Sequence, residues 1–444
     1  MRGSGGFLLC WHRLRIRCTV FFFAAALIAQ TSGLSPDVLF LSKAQRRIRE
    51  GILAVPSYTC LETIARERRA PGAKAIGSKG FERLDLVRLE VAKEGPRELF
   101  AWPGARKFED RPISDFVAGG LMGNGAFALF ADDLFVHRAA TMKVRGPEQL
   151  DGRTLVRVDY SVASLRGMLT LTTATGSADV TYSGSWWVDP VDLGLVRLDI
   201  IADDIPPHLQ LSRARISIEY GDVSAAILPV NATIEFTKPS GEVSLDEIEF
   251  THCRKFSGAA ELILDAPDVA QAVAPEAAGT LLLPGGLSIP LRLETTIDAR
   301  TAGVGDEVIA TVDRDVKDKQ RVWAPKGSLA RGRIRRLLRR DGFPSYELIG
   351  IEFSELEANG QQFEFIGQLE TAEGDRNVLT TFLGKELTQT NRRGGVVETQ
   401  VSQFYEREIP GVGYLYVTAE PYRVGPGLRL VWKTEAVRQG AEKP

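Results

Sequence analysis

Histidine, cysteine, serine and carboxylate side chains carry most protein chemistry, and their placement in this chain is sparse. His137, His208 and His252 lie far apart, with neither the two-histidine spacing nor the cysteine pairs of a zinc site. Ser288 in "GGLSIP" lacks the glycine two positions later that a nucleophile elbow requires. Gly384-Lys385 in "FLGKEL" lacks both the upstream glycine and the following Ser or Thr of a phosphate loop. The acidic pairs Asp132-Asp133 and Asp203-Asp204 have the residue types of a two-carboxylate hydrolase, although acidic pairs in loops commonly serve as solvated caps. No metal and no cofactor is expected. The pattern favours a non-catalytic protein, with an unrecognised hydrolase as the enzymatic alternative.

Two further features bear on binding. In "RGRIRRLLRR" a strand would place Arg331, Arg333 and Arg335 on one face, opposite Gly332 and Ile334. This stripe is either a solvated sheet edge that discourages aggregation or a site for an anionic lipid, a polymer or an acidic partner. Aromatic residues are not interleaved with the arginines, so nucleic acid is not an expected partner. Cys60 in "YTCLETIAR" and Cys253 in "FTHCRKF" are the other pair, and their meaning depends on where the chain goes.

Arg13, Arg15 and Arg17 precede the apolar run "CTVFFFAAALIA", which is followed by "QTSG"; this is the order of an export signal, with cleavage between Ala29 and Gly33. The run is too short for the roughly 20 residues of a membrane-spanning helix, so the processed chain is not expected to be an integral membrane protein. Residues 1–33 are therefore set apart as signal. Their removal takes Cys10 and Cys18 with it and leaves Cys60 and Cys253 in a compartment where disulfides persist. The alternative is two unrelated buried thiols. The expected location is the periplasm or cell envelope, or outside the cell.

The chain has 444 residues, 44% of them hydrophobic, and a formal net charge of -2. That length suits about two or three domains, and the charge supplies no global field that selects nucleic acid or an anionic membrane. "SPDVLFLSKAQRRIREGI" opens with a helix cap and spaces Val38, Leu41, Ala44, Ile48 and Ile52 for an amphipathic helix. Period-two runs then follow at 83–91, 181–188, 195–201, 213–220 and 245–250, which predict an antiparallel sheet with one wet face. Ala214, Ile216, Ile218 and Tyr220 would face its core. Between them, the glycine-rich stretch 113–135 predicts one or two short helices on the concave side, or a lid. Phe116, Leu121, Phe127, Leu129 and Phe130 would there line an apolar concavity.

The Ala- and Pro-rich stretch 264–279 lacks strand pattern and is the predicted linker, placed at 263–282. Seven more strand-like runs lie beyond it, predicting an all-β barrel or sandwich over 283–436 and a flexible tail over 437–444. The expected fold is thus α+β: an antiparallel half-barrel domain over 34–262 that wraps short helices, then a separate β domain. A Cys60–Cys253 bond would tie the beginning of the first domain to its finish.

The hairpin "GSWWVDPVDLGLVRLDI" resembles periplasmic lipoprotein-carrier proteins and their sigma-factor-regulator relatives, a half-barrel class that holds acyl chains. Trp186, Trp187 and Asp189 match the strand-turn signature of that class. The resemblance implies a lipid or lipoprotein ligand; in that class the strand-turn signature is structural and not a dedicated ligand site, and Trp186 and Trp187 stand beside the five as further candidate ligand-binding residues. The first domain is also similar to uncharacterised exported proteins of soil bacteria. In the second domain, "GDEVIATVDRDV" followed by "WAPKGSLARGRI" resembles the β-rich C-terminal domain of the scaffold component of type IV secretion and conjugation systems, through Pro325, Lys326, Gly327, Ser328 and Gly332. That resemblance implies a module that docks to an envelope protein partner. The expected function is a ligand-holding envelope protein, and the alternative is an assembly scaffold of a secretion or surface complex.

Overall fold

The computed structural model describes residues 34–55, 57–72, 80–94, 97–105, 107–110, 113, 116–117, 127–137, 140–162, 169–173, 175–223, 226–255, 281–340, 346–375, 377–379, 389–390, 396–397, 409–418 and 420–436. Helix α1 (Pro36–Leu53) begins as its sequence dictates. Ser35 caps it by accepting a hydrogen bond from the Val38 amide, and Pro36 occupies the first turn, where its missing N–H costs nothing. Of its apolar stripe, Ala44 and Ile48 are buried, whereas Val38 and Leu39 remain exposed. Phe40, Leu41 and Ile52 are partly buried against the same core.

Strands β1 (Tyr58–Arg69), β2 (Glu82–Glu94), β3 (Arg97–Ala101), β4 (Thr141–Leu150), β5 (Arg153–Val162), β6 (Leu169–Thr173), β7 (Gly176–Val180), β8 (Tyr182–Val188), β9 (Leu195–Ala202), β10 (Arg213–Val223), β11 (Ala226–Thr237) and β12 (Val243–Lys255) follow. Ten of them form one curled antiparallel half-barrel sheet in the order β3-β2-β1-β12-β11-β10-β9-β8-β5-β4, and β6 pairs with β7 alone. Every neighbour on this path except β1–β12 and β5–β8 is a sequential strand or hairpin. The short helix α2 (Phe127–Asp132) and the π-helical turn Asp133–His137 lie against the buried face, where Phe135 meets Trp186 edge-on at 5.3 Å. Few helices are present among the described residues. The molecule is mostly β rather than an even α+β mixture.

A second sheet is built from Ser288–Leu293, Glu307–Val312, Leu329–Arg340, Tyr346–Ala358, Gln361–Glu364, Gly367–Glu373, Gly413–Val417 and Arg429–Thr434, with short strands at its margins. The turn at Pro325–Ser328 closes by a hydrogen bond from the Ser328 amide to the Pro325 carbonyl, with Gly327 at φ +87°. Gly332 lets the backbones approach closely, because a Cβ there would sit 2.1 Å from the Glu352 carbonyl oxygen.

The two sheets meet along β2. The Arg88 amide donates to the Val304 carbonyl at 2.8 Å and the Val304 amide donates to the Leu86 carbonyl at 2.7 Å, extending the β2 edge where β3 has ended. The Arg88 guanidinium reaches the Asp306 carboxylate at 2.5 Å. Gly305, at φ +102°, passes so close that a Cβ would lie 2.2 Å from the Arg88 carbonyl oxygen. One contiguous hydrophobic cluster runs from Ala44 to Trp432 across both sheets. Most of the expected linker and the whole of the expected tail lie outside the described residues.

Candidate functional site

Alternation along β1 turns Tyr58, Cys60, Glu62, Ile64 and Arg66 to the buried side of the sheet. Two of these five, Glu62 and Arg66, are an acid and a strong base, and the fold treats them differently. Arg66 is 3% exposed and grips Asp85 on β2 with two hydrogen bonds of 2.6 and 2.5 Å, while Asp246, also buried, stands opposite it on β12. The charge is thus met by a bidentate partner of opposite sign. Glu62 is 0% exposed and stands between Leu89 of β2 and Phe250 of β12. Neither of its carboxylate oxygens has a hydrogen-bond partner among the described residues. Burial pushes its carboxyl up to about 8, so the acid keeps its proton at neutral pH.

At the outer end of the same face, Tyr58 lines an apolar cavity with Ile48, Ile52, Leu195, Tyr220 and Leu228. Helix α1 forms one wall and β9, β10 and β11 supply others. The volume is about 30 Å³, on the order of a single water. Burial raises the phenols of both Tyr58 and Tyr220 well above their ordinary range, with Glu98 adding to the effect in each case.

The Cys60–Cys253 disulfide is formed, with a Cα–Cα distance of 4.1 Å. It links adjacent strands at a bulge, since Thr59 faces Arg254 but Leu61 faces Thr251, and His252 absorbs the extra residue at φ +53°. The bond therefore sits between Tyr58 and Glu62 on the concave face.

The residues expected to bind ligand are dispersed. Phe116 is buried and packs edge-on against Trp102 at 5.2 Å. Phe130 is half-buried against the core, Phe127 and Leu129 lie in α2, and Leu121 falls outside the described residues. Trp186 is fully buried on the helix side of the sheet. Trp187, its neighbour in sequence, turns to the opposite face because strand residues alternate. There it is held between the guanidiniums of Arg157 and Arg197, its register partners on β5 and β9, at 5.6 and 5.5 Å from its rings. It cannot share a concave ligand with Trp186.

The arginine stripe is engaged within the chain. Leu329–Arg340 is not a sheet edge, since it pairs with Glu307–Val312 on one side and Tyr346–Ala358 on the other. Arg333 and Arg335 lie over the ring of Trp102 at 5.6 and 5.0 Å, and Arg335 meets Glu352 at 2.5 Å. Burial lowers the pKa of Arg333. Arg331 pairs with Glu307 at 3.0 Å. Of the stripe expected to receive an anion or partner, Arg333 and Arg335 join the two sheets through Trp102, and Arg331 is paired within the second sheet. Beside it a cleft of about 200 Å³ is lined by Arg83, Asp85, Arg300, Arg339, Glu347 and Tyr422, among others, so its charges are of both signs.

Members of both acidic pairs are engaged with basic side chains. Asp203 is ion-paired with Arg213 at 2.6 Å, and Asp132 meets His137 at 3.1 Å. Among the described residues no three His, Cys, Asp or Glu side chains converge as metal ligands, and no helix is long and apolar enough to cross a membrane. Sequence reasoning missed Glu62. The signal was present in "YTCLETIAR", where a glutamate occupies an inward position between Cys60 and Ile64.

The fold and site define a curled antiparallel half-barrel with an apolar concavity and a buried acid. No family model matches the chain, and no curated protein matches it. Among solved structures it is similar to a LolA superfamily protein from Nitrosomonas europaea, at 11% identity and a TM-score of 0.26 over 49% of this chain and 93% of that one. It is also similar to an outer membrane lipoprotein-sorting protein domain from Vibrio parahaemolyticus, at 12% identity and a TM-score of 0.26 over 51% and 94%. A DUF1329 family protein from Desulfovibrio piger gives 12% identity and a TM-score of 0.27 over 51% and 95%. TM-scores this low carry no argument, and the functional reading rests on the chain's own geometry.

Proposed function

We propose that the protein is an exported, non-catalytic component of the cell envelope whose half-barrel, over 34–262, holds an apolar or lipid-like ligand. The β module over 283–436 is then the part that docks to an envelope partner. The observation that carries this reading is the concave face itself: an apolar cavity walled by an amphipathic helix whose Ala44 and Ile48 are buried and whose Phe40, Leu41 and Ile52 are partly buried against the core. A helix held by side-chain packing, beside strands held by backbone ladders, is the wall that yields most readily. Since the cavity holds only about 30 Å³, ligand entry requires α1 to move outward, and its exposed Val38, Leu39 and Leu53 give the displaced helix apolar surface for contact with the ligand or a membrane.

The test is native mass spectrometry of the mature protein purified from an oxidising compartment. A lipid-sized mass on a monomer is the expected result. A ligand-free oligomer would overturn the carrier reading in favour of an assembly scaffold.

A further inference from the structure

Resting on the carrier reading above, we infer that the half-barrel takes an amphiphile with an amine head, and that Glu62 is the group that receives it. A buried carboxyl is retained in a protein interior when its oxygens have partners, because an unpaired acceptor in apolar surroundings is costly. Arg66, four positions along the same strand face, shows how this fold satisfies a buried charge: Asp85 grips it with two hydrogen bonds. Glu62 is as deeply buried, yet both its oxygens lack a hydrogen-bond partner among the described residues. Its register neighbours, Leu89 and Phe250, offer neither donor nor charge in their side chains. A glutamine or a leucine at this position would leave no acid to compensate.

The chemistry of the missing partner follows from the site. A protonated carboxyl between aliphatic and aromatic walls is completed by an amine, which takes up the acid's proton and, as the ammonium, donates a charge-assisted hydrogen bond to the carboxylate so formed. Tyr58, which lines the apolar cavity, lies on the same strand face, and four residues of strand separate it from Glu62 by about 13 Å. An alkyl tail spanning that interval runs past the Cys60–Cys253 bond and emerges under α1. The ligand therefore enters head-first, with its amine at Glu62 and its tail under the helix. An anionic head gains no ion pair at Glu62, which has no positive charge to offer it.

The experiment measures binding of dodecylamine, dodecanol and dodecanoate, each below its aggregation concentration, to the full mature chain by displacement of a fluorescent probe. Wild type is expected to prefer the amine over the alcohol by about tenfold or more, the difference between a charge-assisted and a neutral hydrogen bond. Glu62→Gln and Glu62→Leu are expected to bring that ratio close to one while dodecanol binding persists. Two variants are used so that a folding defect in one leaves the other to report. Equal binding of amine and alcohol by wild type, or an unchanged ratio in both variants, would overturn the assignment of Glu62 and leave the carrier reading standing. Failure of all three amphiphiles to bind would overturn the carrier reading, and this inference with it.

Discussion

Replacing Glu62 by glutamine should stabilise the unliganded protein, and by an amount that grows with pH. In the unfolded chain the carboxyl titrates near its ordinary value of 4.5, whereas burial holds the folded group protonated up to about 8. Between those values the unfolded state binds fewer protons than the folded one, so raising the pH favours unfolding. Below pH 4.5 both states carry the proton and the penalty vanishes; above 8 it has reached its full size. At about 1.36 kcal/mol per pH unit, that interval makes the wild type lose about 5 kcal/mol relative to an uncharged side chain. Glutamine preserves the shape of the group and does not titrate. Tyr58 shares this face of the sheet, but its phenol is pushed above its ordinary range and stays protonated throughout the window. The assay is urea unfolding of wild type and Glu62→Gln at intervals from pH 5 to 8.5. The difference between the two should widen steadily across that range and then level. Curves that stay parallel to within about 1 kcal/mol, beyond extrapolation error, would refute the burial argument for this residue.

Two other perturbations have definite outcomes. Gly305→Val forces a side chain into φ +102° and against the Arg88 carbonyl, costing about 1–3 kcal/mol in backbone conformation alone; calorimetry should show the melting of the two sheets separating into two transitions, and one transition at the wild-type temperature would contradict the described junction. Replacing Cys60 and Cys253 together by alanine opens a loop of 193 residues and should cost about 5 kcal/mol in the chain-entropy account, read as a lowered urea midpoint that reductant no longer changes; a variant as stable as the oxidised protein would show the bond to be dispensable.

The parts of the fold visible in the sequence are those where burial is one-sided and apolar. In β10, Ala214, Ile216 and Ile218 are buried at alternate positions as their spacing predicts, and the runs of the second sheet fall on observed strands at 288–293, 307–312, 329–340 and 346–358. The cysteine pair was legible because so few cysteines remain after the signal. Strand β1 escaped notice because two of its inward positions, Glu62 and Arg66, are ionisable and break the apolar alternation. β4 escaped for a different reason, since none of its residues is fully buried and the apolar run on its inner face stops after Met142 and Val144, with Gly146 and Glu148 next. The surroundings of the candidate site residues depended on distant partners and were not legible. Arg333 and Arg335 looked available until Trp102, more than two hundred positions earlier, was found beneath them. Trp186 and Trp187 looked like one aromatic patch although a strand must send them to opposite faces.

The pairing of β1 with β12 also sets a clock on the chain. β1 is made early, gains β2 as its first neighbour within about thirty residues of chain, and then waits for the strand that will occupy its other side. The disulfide partners on those two strands are 193 positions apart, which at 5–20 residues per second is roughly 10–40 s of synthesis. During that interval the nascent hairpin presents an open backbone edge to its surroundings, and its inward face carries an acid and a strong base that would be costly to bury early. Late closure of this kind makes folding slow and nonlocal. The polar positions that obscured β1 in the sequence also keep the waiting hairpin from sticking to the wrong edge.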